Sequence, residues 1–231
     1  MKNIRLVCFD LDDTLWPCMP TILRAEQTLY QWLQKNRSEI TQEYSIESLR
    51  DKRRELAIAM PEIQHNLSEL RKISLRQLAD EFSYDYEWID KAFEVFYQAR
   101  QQVEFYTDVE PVLKRLKQKY HLASMTNGNA DIRRTALGHL FDYSLSAEMT
   151  GAAKPDPAMF EALIRQSNLS VDQVLYVGDH PVQDIKAARD LGIRHVWINR
   201  HNSDWNPELP EPDITVQSLY EIGEYLGLGE F

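Results

Sequence analysis

Ile4-Arg5-Leu6-Val7-Cys8-Phe9-Asp10-Leu11-Asp12-Asp13-Thr14-Leu15 is the stretch on which the fold turns. A short apolar run ends in three carboxylates within four positions. A run bounded this way reads as a buried parallel strand whose C-terminal end carries Asp10 out of the sheet. In open α/β sheets that end is where ligands bind. Three acids there repel one another: two unit charges about 4 Å apart cost roughly 4 kcal/mol at an effective dielectric near 20. A hard cation such as magnesium answers that repulsion. The other reading of the run is a helix N-terminus decorated with acids.

The rest of the composition narrows the class. The chain has 231 residues, 43% of them apolar, enough for one large domain or a core with a smaller partner. A formal net charge of −10 argues against a nucleic-acid or anionic-membrane binder. It leaves room for a small anionic substrate, because a local metal and a lysine override the global sign. Two cysteines, Cys8 and Cys18, make no disulfide framework, and Cys8 alternates with core residues. The start is too soon acidic for a signal peptide, and no stretch approaches a membrane span. The expectation is a soluble, cytoplasmic protein, a monomer or weak homodimer.

Beyond Leu15 the periodicity changes. Trp16-Pro17-Cys18-Met19-Pro20 reads as a loop with two prolines. Four helical stretches follow: Thr21 to Asn36, from Ser45 as N-cap to Met60, a third that follows Asn66 and includes Phe82, and one from Asp85 on, where Trp88, Phe93, Phe96 and Tyr97 share one face. Those aromatics read as helix–helix packing rather than substrate contacts. Strand–helix alternation returns later. Strands are expected at His121–Thr126, Tyr143–Ser146, Val174–Asp179 and His195–Ile198. Helices are expected from Asp108, over Ala130–His139, from Asp156-Pro157, over Val182–Leu191 with Gly192 beyond its end, and near Ser218–Leu226. The architecture is α/β, a Rossmann-like parallel-sheet core (1–16 and 104–231) interrupted by an all-helical insertion (17–103).

Four sets of chemically useful residues stand in order, three of them at strand ends: Asp10-Leu11-Asp12-Asp13-Thr14, Thr126-Asn127-Gly128, Lys154-Pro155, and Gly178-Asp179 with Asp184. In this the chain resembles the haloacid dehalogenase superfamily of phosphohydrolases. The resemblance implies a nucleophile at Asp10, which attacks phosphorus and forms an aspartyl-phosphate. It implies a general acid and base at Asp12. The dehalogenase branch lacks this second aspartate, because halide leaves without a proton. The resemblance further implies phosphate donors at Thr126 and Asn127, and a neutralising lysine at Lys154 that serves both catalysis and phosphate binding. Mg2+ would be held by Asp10, the Asp12 carbonyl and Asp179, with Asp184 direct or through water. Asp13 reads as a turn or capping residue, Asp184 alone as a first-turn acid, and His180 as a solvated or helix-capping residue rather than a catalyst.

The helical insertion occupies the family's C1 cap position, which implies a small phosphorylated metabolite as substrate. Pro20-Thr21-Ile22-Leu23-Arg24-Ala25-Glu26, Pro61-Glu62-Ile63, His65 and Thr126-Asn127-Gly128-Asn129 are similar to bacterial flavin mononucleotide phosphatases of riboflavin metabolism. Those act on FMN or on the phosphorylated ribitylamino-uracil precursor. A nucleotide or sugar-phosphate phosphatase of broad specificity is the alternative. Dehalogenase, phosphosugar mutase and non-catalytic binding protein are further readings. Trp16 and Arg24 are candidate substrate contacts, against a hinge-packing Trp16 and a solvated Arg24.

Overall fold

The computed structural model describes residues 3–229. Six parallel strands form one sheet in the order β3-β2-β1-β4-β5-β6. They are β1 (Leu6–Phe9), β2 (His121–Thr126), β3 (Tyr143–Ser146), β4 (Val174–Gly178), β5 (Arg194–Ile198) and β6 (Ile214–Val216). β1 is central and wholly buried, as its unbroken apolar run requires of a strand covered on both faces. The chain runs outward on one side through β2 and β3, then on the other through β4, β5 and β6. The order therefore reverses between β1 and β4, where open α/β sheets leave a crevice for ligands. Phe9 stands opposite both Ser124 and Val177, so Asp10, Thr126 and Asp179 emerge at the same rim.

The chain divides into two compact units, Cys18–Val103 and the described residues on either side of it. The helical unit holds α1 (Cys18–Asn36), α2 (Ser38–Glu43), α3 (Ile46–Ala59), α4 (Leu67–Glu81) and α5 (Ile89–Arg100). Its core is Ala25, Leu29 and Leu33 of α1 against Leu75 and Leu78 of α4 and Ala92 and Phe96 of α5. Ser45 and Asn66 cap α3 and α4, accepting from the Ser48 and Glu69 amides at 3.2 and 2.9 Å. The aromatics pack on one another, Trp88 stacked on Trp32 and Phe93 on Tyr97. α1 begins at Cys18, earlier than the two prolines suggest. Pro20 sits in its first turn, where the missing N–H has no partner to lose. α5 begins at Ile89, later than Asp85, because the Asp85 carboxylate turns back to the Glu87 amide.

In the sheet unit, α6 (Val109–Leu116), α7 (Ala147–Thr150), α8 (Ala158–Ser167), α9 (Ala187–Asp190) and α10 (Leu219–Tyr225) flank the strands. Phe160 and Leu163 of α8 cover Cys8, Met125 and Tyr176. Each such side chain, fully buried, is worth about 1.5–3 kcal/mol. Two expected helices are not regular. Ala130–His139 forms two 3₁₀ turns, Ile132–Arg134 and Gly138–Leu140. Asp131 accepts from the Arg133 amide and Thr135 donates to the Ile132 carbonyl, so side chains take the groups a helix would pair. At Gly138 a Cβ would lie 2.5 Å from the Ile132 carbonyl oxygen, a fold-back that glycine alone permits. The second is Pro181–Lys186, a wide π turn ahead of α9. The short β6 and α2 lie in stretches the periodicity does not mark, three and six residues long. Among the described residues no helix is long and apolar enough to cross a membrane.

Candidate active site

Asp10, Lys154, Asp179 and Asp184 converge at the C-terminal rim of β1 and β4. Lys154 is 3% exposed, and its ammonium lies 2.6 Å from Asp10 Oδ1, 2.6 Å from Asp184 Oδ1, 2.8 Å from the Tyr176 hydroxyl and 3.1 Å from the Met125 carbonyl. Three N–H donors thus serve four acceptors. The Tyr176 hydroxyl in turn donates a hydrogen bond to Asp184 Oδ1 at 2.8 Å. Burial pulls Lys154 toward neutrality, but Asp10 and Asp184 outweigh it, and the ammonium stays charged beyond its ordinary range.

The acids are not equally balanced. Burial first, then Asp184 and Asp179, push Asp10 well above the carboxylate range, with Lys154 opposing them. Burial, Asp184 and Asp13 raise Asp179 to about 7. Oxygens of Asp10, Asp179 and Asp184 lie within 4.8 Å of one another. Three carboxylates with one lysine leave a net negative charge, and a hard cation is what an all-oxygen set of this kind binds. The residues present therefore fit a metal ion. Asp12 is not in that cluster: its Oδ1 accepts from the Trp16 indole at 2.8 Å.

The local backbone explains how each group is held. Asp13 takes a left-handed φ of 59°, and its amide donates to the Trp16 carbonyl at 2.7 Å. This tight turn lifts Asp12 and returns Trp16 beneath it. Asp184 reaches inward from the π turn, which opens because His180 Nδ1 accepts both the Val182 and Gln183 amides at 3.2 Å. The His180 amide in turn donates to Asp184 Oδ2 at 2.9 Å. Gly178 makes the space, since a Cβ there would stand 2.4 Å from Asp184 Cγ. Asp179 is fixed twice, by the Thr14 hydroxyl on its carboxylate at 3.2 Å and by the Trp197 indole on its carbonyl at 2.7 Å. Arg200 grips the Thr14 carbonyl at 2.9 Å while Asp108 holds its guanidinium at 3.0 and 3.1 Å.

Two sequence expectations change. Trp16 is fully buried, edge-on to Phe105, so it touches Asp12 rather than a substrate. The Asn127 side chain is committed to the Lys154 loop. It accepts from the Lys154 amide at 2.7 Å and donates to the Lys154 carbonyl at 2.9 Å and to Gln183 at 3.0 Å. Any phosphate contact there falls to its backbone. Thr126 is buried beside it, its hydroxyl accepting from the Gly128 amide at 2.9 Å. Arg24 is exposed and donates to the Gln102 carbonyl at 3.1 Å. Sequence reading passed over Tyr176, although a tyrosine inside an otherwise aliphatic buried strand must find a partner for its hydroxyl. It also passed over Arg200 and the steric role of Gly178.

Known proteins resemble this chain in sequence and in fold. Residues 4–192 match the family description "haloacid dehalogenase-like hydrolase". The chain is 29% identical to the 5-amino-6-(5-phospho-D-ribitylamino)uracil phosphatase YigB of Escherichia coli (strain K12), over 96% of each chain. It is 32% identical to a phosphoserine phosphatase of Thermus thermophilus, over 56% of this chain and 54% of that one. A crystal structure described as 2-haloacid dehalogenase from Pseudomonas syringae pv. Tomato DC3000 superposes with a TM-score of 0.89 at 36% identity, covering 97% of this chain and 99% of that one. The chain belongs to the haloacid dehalogenase-like hydrolases. It is an enzyme, and the phosphatases among its relatives place it with the phosphate-ester hydrolases of that family.

Proposed function

We propose that the chain hydrolyses the phosphomonoester of a small metabolite through an aspartyl-phosphate on Asp10. The observation that carries this reading is the Lys154 ammonium joined to Asp10 and Asp184 beside Asp179, at the point where strand order reverses. A carboxylate oxygen of Asp10 forms the new bond to phosphorus as the ester oxygen leaves. Asp12 protonates that leaving oxygen. It then takes a proton from the water that attacks the acyl-phosphate, releasing inorganic phosphate and restoring Asp10. Lys154 keeps Asp10 oriented and offsets charge on the transferring group. Backbone amides of the Thr126–Gly128 turn supply donors to the phosphoryl oxygens. Asp10, Asp179 and the Asp12 carbonyl would hold Mg2+, with Asp184 behind them. When bound, that ion neutralises phosphoryl charge as a Lewis acid.

We further take the substrate to be FMN or a riboflavin-pathway phosphate, selected by residues of the helical unit. The resemblance of residues 20–26 and 61–65 to flavin mononucleotide phosphatases supports this, as does the YigB likeness along the whole chain. The test is phosphate release from p-nitrophenyl phosphate with Mg2+, followed by a panel of flavins, nucleotides and sugar phosphates ranked by kcat/KM. EDTA and Asp10→Asn should each abolish release. Undiminished activity in Asp10→Asn would sink the mechanism, and a nucleotide or sugar phosphate ranking first would remove the flavin assignment. The Pseudomonas syringae structure favours a second reading, dehalogenation of a 2-haloacid. Asp12 weighs against it, since departing halide needs no proton. Halide release from 2-chloropropionate without phosphatase activity would reverse that choice.

A further inference from the structure

In the helical unit three arginines gather on one buried acid. Glu26 of α1 is 5% exposed and is the carboxylate shared by three guanidinium groups. Arg50 binds its Oε2 through Nε at 2.8 Å and Nη2 at 2.5 Å. Arg53 binds Oε1, and Arg71 Nη2 stands 3.7 Å from the same oxygen. Three cations on one anion leave a local excess of two. A partly exposed guanidinium keeps water on its charge, but the Arg71 side chain is only 8% exposed. It lies flat on Phe96, 3.4 Å from the ring centroid, and its buried Nε has no hydrogen-bond partner. Leaving a buried charged donor unpaired is costly.

A cavity lies beside this group. It is lined by Glu26, Tyr30, Arg53, Arg71 and Ser74 on its polar part and by leucines of α1, α3 and α4 elsewhere, and its volume is about 30 Å³. A single water needs roughly 10–15 Å³ on this measure. The space thus holds one or two water-sized bodies, and its electrostatics select against a cation. Burial, then Arg53, pull the Arg71 guanidinium far down, with Glu26 opposing them. The missing component is negative and small. We propose that the helical unit binds a small monoanion, of halide or formate size, between Arg53 and Arg71, as the counter-charge that completes the Glu26 cluster. This site uses no residue of the phosphate-hydrolysing set, so it stands or falls separately from that reading.

The full chain is tested in two ways. Thermal unfolding is followed at constant ionic strength while sodium chloride, or sodium formate, replaces sodium gluconate, whose anion is too large for the cavity. A saturable rise in Tm of about 5–11 °C is expected at a hundredfold excess over Kd. Arg71→Met should abolish that rise. Should this variant fail to fold, crystals of the unaltered protein soaked in bromide decide the matter. An anomalous peak within hydrogen-bonding distance of Arg71 Nε supports the site; water alone there overturns it. A chloride-dependent rise that persists in Arg71→Met, or equal Tm in chloride, formate and gluconate, also overturns it. A rise with formate but not chloride, or the reverse, identifies which anion the cavity fits.

Discussion

Replacing Gly178 by alanine adds one carbon at the most crowded point of the site. That carbon would stand 2.4 Å from Asp184 Cγ, 2.5 Å from its Oδ2 and 2.6 Å from its Cβ, where ordinary contact begins near 3.4 Å. Asp184 must retreat by roughly 1 Å, because a close-packed interior has no slack to absorb it. Its bonds to Lys154, Tyr176 and the His180 amide, now 2.6, 2.8 and 2.9 Å, then pass beyond hydrogen-bonding range. Breaking one partner out of a buried ion cluster costs about 3–5 kcal/mol. For a chain of this length that is a fall in Tm of about 6–20 °C. The same displacement loosens Lys154 from its position against Asp10, and a 1 Å error in a catalytic group costs about a hundredfold in rate. The assay pairs urea denaturation with kcat on p-nitrophenyl phosphate, in a double-mutant cycle with Asp184→Gly. The Asp184→Gly background removes the three atoms nearest the added methyl, which should then cost under about 1 kcal/mol. Equal costs in the two backgrounds would refute the steric account.

Three further outcomes follow from the same geometry. Lys154→Met should lower stability at pH 7 by about 3–5 kcal/mol in denaturant titration, because Asp10 and Asp184 lose their buried cation. The sign is fixed by the raised folded-state pKa of Lys154: its contribution is whole below the unfolded value of about 10.4 and fades only as pH rises through the higher folded one. Metal affinity should weaken as pH falls through about 7, where Asp179 takes a proton that competes with the ion. Calorimetric Mg2+ titration at pH 6 and pH 8 checks this, and equal affinities would contradict it. Trp16→Phe should reduce kcat about tenfold while leaving KM in place, since it removes the indole donor from Asp12. Steady-state kinetics with and without Asp12→Ala tests whether that loss runs through Asp12.

Much of the fold is legible because buried parallel strands and amphipathic helices write different periods. Leu6–Phe9 and Val174–Gly178 are unbroken apolar runs, and β2 is marked over its full length. The misread segments are those where side chains take over backbone pairing. Asp131 and Thr135 dissolve an expected helix, and His180 widens another. Neither effect has a period. The convergence of Asp10, Lys154, Asp179 and Asp184 is legible as motifs at strand ends, since register brings those ends to one rim. What surrounds them is not. Tyr176, Trp16, Thr14 and Arg200 act through contacts up to 186 positions apart in sequence, and only the folded chain sets those. The buried charge of Glu26, Arg50, Arg53 and Arg71 hides for the opposite reason. Each residue alone looks like an ordinary polar position on a helix, and only packing reveals that they share one interior.

The central place of β1 also sets an order of events. It is the first strand made, yet its neighbours begin at His121 and Val174. Until both are synthesised, four apolar residues stand with two open edges, the condition under which strands recruit foreign partners. The helical unit that separates β1 from β2 packs its first helix, α1, against its last, α5, and helical units form faster than sheets. Its early folding would draw the ends at Pro17 and Glu104 into a compact frame before β2 arrives, converting a long loop closure into a short one. The insertion would thus chaperone the strand that leads to Asp10.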